Sequence, residues 1–276
     1  MKFPLPADTF PTLLLSPEDK RMIETVAEEL VKSTFTRYYE HTTVHQSVVD
    51  ERHWKKFKQR EDLCVYRTRN ATRIPRPATL GSETTTGKSS SASSSRDSMS
   101  KDDTGLVAPL LVVGSIPGNL DDILYGMLSP SVEEMQLKST YMEDGLVDWG
   151  FVSSIITPSE QQPLRELSLK WFIKGYPLLI DAVMRMRDTF FIDSVGTMIT
   201  PDGERIGYHL FHSVEIPEIP ELTELNIVRG KISICELYRQ RRDNSVEVFV
   251  YGLYIPMGDI PASVTAIVAT EVAVSI

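Results

Sequence analysis

Cysteine is scarce: Cys64 and Cys235 are the only two in 276 residues, far apart and without the paired spacing of a zinc site. A disulfide framework is therefore excluded as the source of stability, and a reducing compartment is the default. Bases are also in deficit, with 29 Lys and Arg against 38 Asp and Glu and a formal net charge of -9. A nucleic-acid protein needs a basic face to neutralise phosphates, so that partner is not expected. No apolar run reaches the ~20 residues of a membrane span. Lys2 and Leu13–Leu15 look like the start of a secretory leader, but Pro4, Pro6 and Pro11 break any helical core there. The expectation is a soluble, cytoplasmic protein. Gly-x-Ser-x-Gly, phosphate-loop and dinucleotide motifs are missing, so neither catalysis nor a cofactor has positive support.

What is present is an ordinary globular composition, 41% hydrophobic and 24% charged, enough to bury a full core. After an N-terminal tail over 1–16, Ser16, Pro17 and the acids that follow give the start signals of a long amphipathic helix over about 17–46. Met22, Val26, Leu30 and Phe35 mark its apolar spacing. "WKKFKQR" (Trp54–Arg60) is the one compact basic cluster, read either as a solvated strand lead-in or as a local contact with lipid headgroups. "DLCVYRTR" alternates as a strand does. A serine-rich segment at about 72–105 cannot offset its ordering entropy and is expected to be a disordered insertion inside a hairpin. Asn119 and Ser131 then cap two short helices. Six strands follow at roughly 147–157, 164–174, 183–194, 204–216, 226–239 and 245–255, with turns at "TPDGER" and "RDNS". Connections this short require one antiparallel meander.

The strand faces are uneven. Leu167, Leu169, Trp171 and Ile173 share one face, with Glu166, Ser168, Lys170 and Lys174 on the other. Ile206, Tyr208, Leu210, His212, Val214 and Ile216 form a second one-sided set, and Met184, Met186, Phe190 and Ile192 a third. One side of the sheet needs a cover. The ending "MGDIPASVTAIVATEVAVSI" offers one: a helix of about 15 residues from Pro261 would be ~22 Å long. Its β-branched content makes a final strand the rival reading. A single helix on a curved sheet of seven or eight strands leaves a cavity with apolar walls, the make-up of a small-molecule site.

The order of helix, strand, long hairpin, two short helices, six-strand meander and apolar ending resembles the START (StAR-related) lipid-transfer domain. "WKKFKQREDLCVYR" is similar to that family's first strand, "LDDILYGMLS" to its short helix after the hairpin, "MRMRDTFFI" to its Arg-Asp strand, and "YGLYIPMGDIPASV" to the entry into its C-terminal helix. The likeness spans about 17–276 and is strongest to a divergent START-like group often found beside FYVE-type zinc fingers, whose cysteines are absent from this sequence. It implies an α+β, helix-grip (START/Bet v 1-like) fold: a curved antiparallel sheet wrapped around a long C-terminal helix, with an internal cavity. It further implies non-catalytic binding, and transfer or sensing, of one sterol, phospholipid, sphingolipid or fatty acyl chain, by a monomer that touches membranes transiently. The segment from Pro261 would be the lid. Asp193 stands where some sterol-binding members carry an inward arginine, which argues against a sterol.

The ligand-lining set expected on these grounds is Trp149, Phe151, Leu167, Leu169, Trp171, Met184, Met186, Arg187, Tyr208, Leu210, His212, Ile232, Ile234, Val264, Ile267 and Val268. Arg187 and Asp188 are strand neighbours on opposite faces, so one can anchor a headgroup with Arg229 or Glu236 while the other pairs elsewhere. His212 reads first as a hydrogen-bonded core histidine. His41 and His45 have the four-residue spacing of metal ligands but lack a third ligand in view. Two other functions stay open: an interaction protein with a collapsed cavity, filled by Trp171, Met184 and Tyr208, and a cyclase- or hydrolase-type enzyme using His212 with Glu236. Leu210→Trp is the substitution expected to block a cavity on the apolar face.

Overall fold

The structure, a computed structural model, describes residues 3–6, 9–10, 13–70, 72–73, 78–79, 106–140, 146–174, 185–255 and 257–258. The expected helix from Pro261, and with it Val264, Ile267 and Val268, lies outside the described residues, as do Met184 and nearly all of the serine-rich insertion.

Helix α1 runs over Pro17–Tyr39 and passes into a π-helical turn, Glu40–Val44, which accounts for the expected span to 46. Its start is a capping box: Asp19 N–H donates to Ser16 Oγ and Ser16 N–H to Asp19 Oδ2, both at 3.1 Å. The buried stripe is Ile23, Ala27, Val31, Thr34 and Tyr38, one residue round from the expected one. Met22, Val26, Leu30 and Phe35 flank it, partly buried on the same core. Helices α2 (Leu120–Met127) and α3 (Val132–Ser139) carry the expected caps, with Asn119 accepting from Asp121 N–H and Ser131 from Glu134 N–H.

Among the described residues nine strands form the antiparallel path of one open sheet: β1 (Trp54–Arg60), β2 (Leu63–Thr68), β3 (Leu110–Pro117), β4 (Leu146–Ile156), β5 (Glu166–Lys174), β6 (Arg187–Ile199), β7 (Arg205–Glu215), β8 (Lys231–Gln240) and β9 (Ser245–Ile255), with the short strands Ala78–Thr79 and Val228–Arg229 added in parallel to β7 and β6. Their spatial order is β1-β2-β3-β9-β8-β7-β6-β5-β4. The last six are the expected meander. The expected single strand at "WKKFKQREDLCVYR" is instead the β1–β2 hairpin, because Glu61 turns the chain with a positive φ of 52°. The β2 and β3 strands pair antiparallel around the insertion, as a hairpin insertion requires. The β8 strand starts later than expected. Asn226 ends a 3-10 turn in the left-handed region, and Val228–Arg229 pairs parallel with Arg187–Asp188 before β8 begins. The "TPDGER" turn closes with Gly203 at φ +80°.

The core lies on both sides of this sheet. On one side α1 packs over β6, β7 and β8, joining Leu167, Leu169, Trp171, Ile173, Tyr208, Leu210, Leu237 and Phe249 in one cluster. The N-terminal segment adds Phe10, whose ring meets Trp171 edge-on at 5.0 Å. The face singled out as needing a cover is thus covered by the N-terminal elements, an amphipathic helix being a better match to that area than its charged residues suggest. On the other side α2 sits on β7, where a Cβ on Gly207 would come within 2.8 Å of the Leu124 methyl groups. Around it cluster Val65, Val112, Phe191, Val195, Ile232, Ile234, Val248 and Val250.

Candidate functional site

The side of the sheet away from α1 was expected to be the polar one on β5, and its charges are polar but not solvated. Glu166, Ser168 and Lys170 are 1%, 0% and 1% exposed. Charged side chains are buried this deeply only when paired. Lys170 Nζ donates to Asp193 Oδ2 at 2.6 Å, Glu166 Oε1 at 2.7 Å and Ser129 Oγ at 3.0 Å. Glu166 is completed by Ser129 N–H at 2.7 Å, which ties the α2–α3 connection to β5. The second oxygen of Asp193 meets His209 Nε2 at 2.8 Å. The other ring nitrogen of His209 is buried with no hydrogen bond, 3.7 Å from Glu236 Oε2. That carboxylate accepts from Tyr238 OH at 2.6 Å. The chain of contacts crosses β5, β6, β7 and β8 on a diagonal, from Lys170 opposite Phe191 to His209 opposite Val195 and Glu236.

Burial and pairing act oppositely along this chain. Burial alone would lower the Lys170 pKa, and the Asp193 and Glu166 carboxylates reverse that, so the ammonium is held above its usual range. Asp193 would be raised by burial, but Lys170 and His209 hold it well below the usual carboxylate range. Glu236 has no such cation, and burial pushes it up in spite of His209 and Tyr238. Lys138, at the rim of the network and bonded to Met127 O, is lowered to about 8 by burial.

A folded pKa above the unfolded value means that the ionised form of Glu236 opposes folding at neutral pH, a cost that disappears as pH falls below ~4.3. Glu236→Gln keeps an acceptor for Tyr238. It is expected to raise stability by about 1 kcal/mol at pH 8 and to change little near pH 3.5. Urea unfolding at the two pH values checks this, and equal stability at pH 8 would refute it.

Beside the network runs an aromatic row. Phe172 and Phe191 are 5.3 Å apart, Phe191 and Phe211 5.7 Å, and Phe211 and His209 4.0 Å between ring centroids. Phe172 and Phe211 are only partly buried. One wall thus has an aromatic and aliphatic part and a charged, hydrogen-bonded part, the combination that orients an amphiphile.

The expected ligand-lining residues divide between the two faces. Trp149 pairs with Phe172 and Phe151 with Lys170, putting both on the wall side, where the Phe151 ring lies 6.0 Å from the ammonium. Ile232 and Ile234 belong to the same side. Arg187 shares it too, near the end of β9, where Nη2 donates to Met257 O at 3.3 Å. Leu167, Leu169, Trp171, Tyr208 and Leu210 lie on the α1 side, with Met186 partly buried against that core. His212 is there as well, bonded to Ser233 Oγ at 3.0 Å and lowered to about 4 by burial. One space cannot be lined by both sets, because the sheet lies between them. The suggested His212–Glu236 acid–base pair fails for the same reason, and His209 takes that place beside Glu236. Asp188 points to the α1 side and pairs with Arg229 at 2.7 Å. His41 packs on Phe249 at 5.5 Å between centroids, with burial lowering its pKa.

Several surface clefts also open among the described residues. One of about 640 Å³ lies between α1, residues 161–165 and the β6–β7 hairpin. Its floor is held by Arg165, which donates to Tyr208 OH and reaches toward Glu24 and Glu28.

No family model and no curated protein matches the sequence. Solved structures do. Human StAR-related lipid transfer protein 5 superposes with a TM-score of 0.52 at 12% identity, over 91% of this chain and 92% of its own. The lipid transfer and protein localization domain of human StarD13 (DLC2) gives 0.47 at 12% identity over 95% and 96% of the two chains. A STAR-related lipid transfer protein from Xanthomonas axonopodis gives 0.45 at 11% over 80% and 93%. The first of these identifies the architecture: a START-like fold, with a large open antiparallel sheet and few helices. Among the described residues no helix is long and apolar enough to cross a membrane.

Proposed function

We propose that the protein binds one lipid, without catalysis, against the face of the sheet opposite α1. The observation that carries this reading is the buried chain from Lys170 through Asp193 and His209 to Glu236, set in a wall of Phe172, Phe191, Phe211, Ile232 and Ile234. Apolar packing would often stabilise a protein-only core as well as such a network, so these buried charges point to a role beyond packing. Here that role is to orient the polar end of a bound amphiphile, with Trp149 and Phe151 beside its apolar part. The START-like fold supports the choice of ligand class, since the human structure that identifies it is described as a StAR-related lipid transfer protein. The finer readings belong to this proposal: the segment from Pro261 as lid, membership of the divergent group found beside FYVE-type zinc fingers, and a monomeric cytoplasmic protein.

Native mass spectrometry of the purified protein, followed by denaturing analysis of what is released, tests the reading. The expected result is one adduct of lipid mass at one-to-one stoichiometry. Protein that stays bare after incubation with a broad lipid mixture overturns it.

A further inference from the structure

The lipid-binding reading leaves one feature of the sequence unused, the basic cluster at the sheet edge. Among the described residues strand β1 is the end strand of the sheet, paired on one side only, to β2. The two strands hold Lys55, Lys56, Lys58, Arg60 and Arg67 and no acid, in a chain whose formal net charge is -9. Lys55, Lys56 and Arg60 are exposed, and among the described residues none of the three forms an ion pair. Lys56 Nζ bonds the neutral Gln59 Oε1 at 2.7 Å, and Arg69, just past β2, bonds the Glu51 carbonyl at 3.0 Å. Lys55 and Lys56 thus present positive charge with no ion-pair partner among the described residues.

Apolar groups sit within this charge. The register of β1 slips between Lys56 and Lys58, and Phe57 stands at the slip, 43% exposed between two lysines. The chain leading into β1 exposes Val44 at 69% and Val48 at 67%. Tethering holds this approach in place: Trp54 packs edge-on to Tyr251 at 6.3 Å, and the Arg37 guanidinium near the end of α1 covers the same ring at 4.4 Å. The turn acids Glu61 and Asp62 lie at the hairpin tip, away from Lys55 and Lys56.

We infer that β1 is a docking strand for anionic lipid bilayers. Lys55, Lys56 and Arg60 meet the headgroups, and Phe57 enters the interface between them. Charge complementarity sets the sign of the surface, and an exposed aromatic among lysines favours a bilayer over other polyanions. Only that last choice leans on the lipid-binding reading. The acidity of the rest of the molecule turns the β1 edge toward such a surface.

Co-sedimentation with phosphatidylcholine vesicles, with and without ~30% phosphatidylserine, tests this at low and high salt. Each basic side chain near an anionic surface changes partitioning about fivefold, so Lys55→Glu/Lys56→Glu is expected to abolish binding. Phe57→Ala should weaken it several-fold. The control Arg21→Glu/Lys32→Glu makes the same charge change on α1 and should retain most of it. Binding must also fall steeply at ~0.5 M salt, where screening is short-ranged. Absence of vesicle binding, equal binding to neutral vesicles, or equal loss in the control overturns the inference, as does retention of nucleic acid or heparin without vesicles. Lipid uptake from detergent, read by native mass spectrometry on the same variants, should be unchanged. A failure of docking is then distinguishable from a failure of lipid binding.

Discussion

Lys170→Met is expected to remove about 3–5 kcal/mol of stability, because it leaves two carboxylates buried without their shared cation. Lys170 is 1% exposed and lies 2.7 Å from Glu166 and 2.6 Å from Asp193. Against the 5–15 kcal/mol typical of a folded domain, this is a large fraction of the total. The pH dependence identifies the cause. In the parent protein Asp193 is held below the usual carboxylate range, so its contribution is present above pH ~3.9 and is lost as pH falls through the folded value. Without Lys170 that attraction is gone, and protonation relieves the variant first. The difference between parent and variant should therefore be greatest at neutral pH and narrow toward pH 4 in urea unfolding. The double variant Lys170→Met/Asp193→Asn should recover part of the loss. A difference below 1 kcal/mol, or one that does not vary with pH, would show that the pair contributes little to the fold.

The elements of the fold were legible where local chemistry decides them. Ser16, Asn119 and Ser131 announce helices because a side-chain oxygen must satisfy the free N–H groups of the first turn. Short turns at Thr200–Arg205 and Arg241–Ser245 leave the six-strand meander as the only solution. The allocation of faces was not legible. Alternation in "ELSLKWFIK" marks Glu166, Ser168 and Lys170 as one face and nothing more. Whether that face is wet depends on partners 23 and 41 residues away, Asp193 and Ser129. The same holds for "TFFIDSV" and "YHLFHSV", where Phe191 with Asp193 and His209 with Phe211 sit on the face not chosen. The available signal was that β6 and β7 are apolar or aromatic on both faces, as strands covered on both sides are. Reading only the more apolar face, that of Trp171, Tyr208 and Leu210, leaves the network on the other face unrecognised. The extent of α1 coverage was hidden for a related reason, since its stripe is centred on small Ala27 and polar Thr34 rather than on its larger residues.

The two faces give the sharpest functional test, because adjacent strands supply a matched pair of probes. Leu210 and Ile234 are each 1% exposed, and their strands pair directly, Leu210 opposite Cys235 and Phe211 opposite Ile234. Their side chains point in opposite directions, Leu210 under α1 and Ile234 into the wall beside Phe211. Leu210→Trp forces extra volume beneath a packed helix and is expected to cost about 1–3 kcal/mol. Its folded fraction should still carry lipid. Ile234→Trp places the same ring on the proposed ligand side, where it competes with the lipid for space. Ile234 is as closely packed as Leu210, so the stability cost should be similar, about 1–3 kcal/mol, while the one-to-one lipid adduct of the folded fraction should fall more than tenfold in native mass spectrometry. Ile232→Phe is a gentler version on the same wall, and should shift the bound population toward smaller lipids even if the tryptophan variant unfolds. Lipid lost from folded Leu210→Trp and kept by folded Ile234→Trp would move the site to the α1 side. The Lys170–Asp193–His209–Glu236 chain would then be a structural feature of the core rather than the polar end of a ligand site.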